Sequence, residues 1–170
     1  MSRADIKILT PLSPIYSRSW LVASGAAASI KAGEPVKGVD AAAASPWLGT
    51  VALMADGDGT TTQRFTGLAK ATSTDTVAAA GEVTLWLPLP HIIYSGKAKT
   101  SSTADTAAEI LALQGKRVVF DVTSSVFTVE AEAADAVANC VTIIGGDPNT
   151  KELEFVYHMK GSALGFVISA

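Results

Sequence analysis

The residues able to do chemistry are few and do not fall into constellations. Asp56-Gly57-Asp58-Gly59 pairs aspartates with glycines, as oxygen-ligand calcium loops do. Counted from Asp56 as the first loop position, however, the glycine position falls on Thr61 and the closing glutamate position on Gly67, so the tetrapeptide reads as a turn. His91 and His158 stand far apart, with no further histidine or cysteine at ligand spacing, which suits polar edge or core roles rather than zinc. In Gly161-Ser162-Ala163-Leu164-Gly165 the serine follows glycine directly, whereas a nucleophile elbow needs it central in G-x-S-x-G. Gly57 and Gly59 lead into threonines rather than a Gly-Lys-Ser/Thr ending, so no phosphate-cradling loop is encoded. Cys140, the single cysteine, lies beside Val141 and Ile143 and reads as a small buried hydrophobe; no intramolecular disulfide is possible. The expectation is a protein that binds and holds: not an enzyme, with no catalytic residues, no metal and no cofactor.

Composition narrows the partners. Net charge is −3 with no run of lysine or arginine, which argues against a phosphate-neutralising face and hence against nucleic acid. Only 17% of the 170 residues are charged, below the roughly 25% of typical chains, and such a surface tends to meet other protein. The longest uncharged stretches fall short of about 18 residues and carry prolines, so no membrane span is expected. The N-terminus has charges and prolines where an export signal needs an apolar core. A soluble, cytoplasmically assembled protein is the expectation.

The elements that must position any site are mainly strands. After Gly81, Val83, Leu85, Leu87 and Leu89 alternate with Thr84, Trp86, Pro88 and Pro90, a period of two that ends by Pro88 because proline cannot donate to a ladder. Arg64 to Ala69 is a shorter strand with Phe65 and Gly67 on one face and Thr66 and Leu68 on the other. These two runs are expected at the centre of a β-barrel. A hairpin turn is read at Gly33 to Pro35, an extended run from Trp47 to Met54, and strands over residues 117–122 and 126–130. Thr106 with Glu109 makes a capping box for one short helix, about residues 107–114, stopped by Gly115. Residues 131–139 fit either an alanine helix or a loop. A last hairpin joins residues 141–144 to 153–157 across Gly145-Gly146-Asp147-Pro148-Asn149.

Residues 1–29 carry large apolar groups without a period and read as an extended arm, ahead of a β-barrel-type domain over residues 30–170 with a C-terminal β extension. A segment this apolar lies along its own domain or a neighbouring subunit; the neighbour is favoured. The candidate interface is therefore Ile6, Ile8, Leu9, Leu12, Ile15, Tyr16 and Trp20. Trp20, Trp47 and Trp86, with Tyr16 and Tyr94, allow a sugar-stacking platform, although core and interface roles use the same residues more often.

At Gly33-Glu34-Pro35-Val36, Phe65-Thr66-Gly67-Leu68-Ala69 and Gly81-Glu82-Val83-Thr84-Leu85 the chain resembles the cement, or head decoration, proteins of tailed-phage capsids. The resemblance covers about residues 30–94. It implies a small β-tulip-like barrel, a homotrimer seated where capsid hexamers and pentamers meet, the major capsid protein as partner, and a place on the virion exterior. The arm and the strands after Gly115 lie outside it. A tail-tube or tail-fibre component and a glycan-binding β module are the alternatives.

Overall fold

The computed structural model describes residues 6–10, 16–22, 30–39, 50–60, 65–89, 92–123 and 126–157. In chain order these form strands β1 (Ile6–Thr10), β2 (Ser17–Val22), β3 (Pro35–Gly38), β4 (Thr50–Leu53), β5 (Phe65–Ala69), β6 (Gly81–Trp86) and β7 (Ile93–Lys97). A one-turn 3₁₀ helix (Ser101–Thr103) and helix α1 (Ala107–Leu113) follow, then β8 (Arg117–Thr123), β9 (Val126–Glu130), β10 (Val141–Asp147) and β11 (Glu152–Tyr157). The chain is mainly β, with a closed five-stranded barrel in the order β2-β4-β3-β5-β6 and an open six-stranded sheet in the order β1-β7-β11-β10-β8-β9. The parallel β2–β4 pair and the antiparallel β2–β6 pair close the barrel. Closure leaves these five strands without an edge.

Local chemistry explains most of the strands. In β6 Val83 and Leu85 point into the barrel while Glu82, Thr84 and Trp86 point out. In β11 Leu153, Phe155 and Tyr157 are buried in alternation with Glu152, Glu154 and Val156. The barrel core is small, with Trp20, Val22, Ile30, Val36, Val51, Ala69, Val83 and Leu85. The larger core lies between the barrel's outer wall and the open sheet. There the Phe65 ring lies 4.5 Å from Tyr157, 5.8 Å from Tyr94 and 6.0 Å from Phe120, centroid to centroid. Each such fully buried aromatic contributes about 1.5–3 kcal/mol over leaving it in water. Burial alone pushes the Tyr94 phenol above its usual range and is the main cause of the same shift at Tyr157, so both rings stay neutral.

Several expectations are corrected. Strand β5 does not alternate: Leu68 and Gly67 face Pro35 and Val36, but Lys37 faces Phe65, so Thr66 is an extra, bulged residue. The bulge turns Phe65 and Leu68 to the same core while Ala69 faces the barrel interior. Gly67 permits it, because a Cβ there would sit 2.3 Å from the Trp86 carbonyl oxygen. The stretch before Gly33 is not a strand; only the second half of that hairpin, β3, joins a sheet. Residues 131–139, which the sequence left open between an alanine helix and a loop, form turns and loop. Gly145 and Gly146 lie inside β10, not in the hairpin turn, with a register shift between Ile143 and Gly145. A Cβ on Gly146 would meet the Glu152 carbonyl oxygen at 2.5 Å, so glycine serves close strand approach. Helix α1 has the expected reciprocal capping box, with Thr106 accepting from the Glu109 N–H and the Glu109 carboxylate accepting from the Thr106 N–H.

The N-terminal arm is the largest correction. Ile6, 1% exposed, packs in the larger core, and β1 pairs antiparallel with β7 of the same chain. Trp20, 5% exposed, fills the barrel, whose closure needs β2. The described parts of residues 1–29 are thus integral strands of both sheets, because irregular hydrophobic spacing here reflects two short strands entering two different cores.

Candidate interaction surface

The proposed interface residues separate into those the fold consumes and those it presents. Ile6 and Trp20 are spent on the chain's own cores, and Ile8 is half-buried against the larger one. Leu9, 42% exposed at the register shift of β1, and Tyr16, 59% exposed before β2, remain at the surface. Leu12 and Ile15 lie outside the described residues, as do Trp47, His91, His158 and the Gly161 to Gly165 stretch. The tryptophans do not make one platform in their described parts: Trp20 is inside the barrel, and Trp86 is half-buried on its outer wall.

Strand β1 is one edge of the open sheet, and among the described residues no strand pairs with its outer side. Beside it runs a groove of about 300 Å³, walled on one side by Lys7 and Ile8 and on the other by Gly33, Leu68, Lys70 and Trp86. The Lys70 ammonium lies 4.5 Å from the centre of the Trp86 ring, a cation–π contact. Lys7 is held by Glu152 at 2.6 Å, and Glu152 also accepts from the Ser95 hydroxyl. The Lys7 hydrogen bond is the largest cause holding the Glu152 carboxyl below its usual range, against the opposing effect of burial. The fold reveals this groove by bringing together β1, the Gly33 turn and the ends of β5 and β6, which are remote in sequence.

The charged groups elsewhere are structural. Asp58 is buried, accepts from the Ala55 N–H and pairs with Lys37 of β3 at 2.7 Å. Its own turn is stitched to the open sheet: the Gly57 N–H donates to the Phe120 carbonyl, the Phe120 N–H to the Asp58 carbonyl and the Cys140 N–H to the Gly59 carbonyl. The aspartate-glycine tetrapeptide is therefore a seam between barrel and sheet, with Asp56 exposed and only the Asp58 side chain buried. Among the described residues no group of three or more potential ligands gathers. Buried Asp121 accepts from the Thr123 and Thr128 hydroxyls and meets Lys99 at 2.8 Å, while Lys99 also reaches Glu130 at 2.8 Å. Burial raises the Asp121 pKa, but the Lys99 and threonine hydrogen bonds outweigh it, and the net shift is downward. Ser73 accepts from the Ile30 N–H and donates to buried Asp75, fastening the loop before β6 to the start of the barrel.

No family model matches this chain, and comparison with curated proteins and with solved structures yields no significant match.

Proposed function

We propose that this protein is a structural component of a tailed-phage virion, a cement protein that binds the outside of the capsid as a homotrimer and stabilises the expanded shell. The observation that carries the reading is the convergence of the three resembling segments. Gly33 to Val36, Phe65 to Ala69 and Gly81 to Leu85 are apart in sequence, yet they supply the turn into β3, all of β5 and most of β6, which lie side by side in one closed barrel. A barrel braced on its outer wall by a second sheet is a stiff body, suited to repeated symmetric contacts that are individually modest. A trimer engaging equivalent lattice sites gains effective concentration for each contact after the first. Binding only the lattice state that presents the whole site stabilises that state by mass action.

The test combines solution mass and capsid binding. The reading expects a trimer by size-exclusion chromatography with light scattering, and co-sedimentation with expanded shells but not with compact precursor shells. A monomer that sediments with neither removes it; a ring of six points to a tail tube instead.

A further inference from the structure

We infer that the open edge of β1 and the groove beside it form a docking site for an extended, acidic segment of another protein, added to the sheet as a seventh strand. This inference stands apart from the capsid reading.

Three features meet there. The outer side of β1 presents main-chain donors and acceptors that no described strand takes up. An incoming strand satisfies them and places alternate side chains toward the neighbouring wall, the geometry of β-augmentation. That wall is partly apolar and aromatic, with Leu68 and Trp86, and Gly33 at φ 86 leaves its turn without a side chain to block the approach. A volume of about 300 Å³ suits side chains of a strand rather than a large ligand.

Charge selects the occupant. In a chain of net charge −3, the groove presents Lys7 and Lys70, and none of its described lining residues is acidic. Lys7 is already neutralised by Glu152, whereas among the described residues Lys70 meets the Trp86 ring and no carboxylate. A carboxylate on the incoming strand completes a charge-assisted hydrogen bond with Lys70 beside the Trp86 ring. A second copy of this chain is disfavoured by the same criterion, since its β1, Ile6–Thr10, carries no carboxylate to offer Lys70. Edge charges and bulges ordinarily guard against indiscriminate strand pairing. Here Lys70, across the groove from the edge, discriminates among partners by charge, and the register shift near Leu9 does so by register.

The experiment uses the full-length protein and the fluorescein-labelled probe peptides TVEVEVT and TVKVKVT, followed by anisotropy and by amide hydrogen exchange. The acidic peptide should bind at least about tenfold more tightly than the basic one, about 1.4 kcal/mol. Its binding should slow exchange in Ile6 to Leu9 and leave β9, which is bridged back to the end of β7 at Val129 and Ala98, unchanged. Lys70→Glu, at an exposed position, should reverse the preference, with folding checked by circular dichroism. N-methylation of alternate peptide amides should abolish binding. Equal affinity for both peptides, protection on β9 instead of β1, or a dimer of the protein alone that buries β1 each overturns the inference, and the wild-type exchange result decides it even if the variant fails to fold.

Discussion

Ile6 and Gly96 face each other across β1 and β7, and the space between them makes a prediction whose sign can be worked out. A Cβ built on Gly96 would lie 2.6 Å from the Ile6 Cδ1 atom, 3.4 Å from Val129 Cγ2 and 3.6 Å from Phe155 Cε1. Only the first contact forces a neighbour to shift. In the native protein Gly96→Ala must push that terminal methyl out of a fully packed site, an overpacking cost of about 1–3 kcal/mol. Ile6→Val removes Cδ1 alone and costs about 0.5–1.5 kcal/mol. With Cδ1 gone, the alanine methyl enters the vacated space, and the smaller entropy of the unfolded chain favours alanine over glycine by about 0.4–1 kcal/mol. Gly96→Ala is therefore destabilising in the native background and neutral or stabilising in Ile6→Val. Urea unfolding of the four proteins measures the cycle, and a coupling above about 0.5 kcal/mol lies outside ordinary additivity. If Gly96→Ala has the same effect in both backgrounds, β1 does not lie against β7 as described. If the coupling depends on protein concentration, β1 is exchanged between chains, and the arm acts in trans.

Two further outcomes test the seams and the charges. Gly67→Ala places a methyl 2.3 Å from the Trp86 carbonyl, a backbone atom that cannot move without opening the β5–β6 pair. Loss of at least about 2 kcal/mol, within the range for strongly destabilising single substitutions, is expected by thermal unfolding, and a change within about 0.5 kcal/mol contradicts that packing. Asp121 and Glu152 both titrate below their ordinary values, so the unfolded chain binds more protons than the folded one near pH 4. Their contribution to stability is present above the unfolded carboxylate range and is lost as pH falls through the lower folded values. Asp121→Asn should flatten the acid limb of a stability-versus-pH curve, and an unchanged limb would remove Asp121 as a contributor.

The local regularities were legible in the residue order. Alternation over Val83 to Leu85 with prolines beyond marks β6, the Thr106–Glu109 pair marks the start of α1, and the Asp56 to Gly59 turn signals a reversal, because each depends on interactions within a few residues. The destinations of strands were not legible. Nothing in Ile6 to Val22 says that β1 joins one sheet and β2 another, since partnership is set by residues near 95 and 84 that only the fold brings alongside. The bulge at Thr66 overrode the period of two, and Gly145 and Gly146 looked like turn residues because glycine answers equally to a turn and to close strand approach. The β1 groove had no sequence signature at all. Lys7, Gly33, Lys70 and Trp86 become one surface only when the barrel's outer wall packs beside the open sheet, and that placement is decided by tertiary burial of Phe65 and its aromatic neighbours rather than by any local propensity.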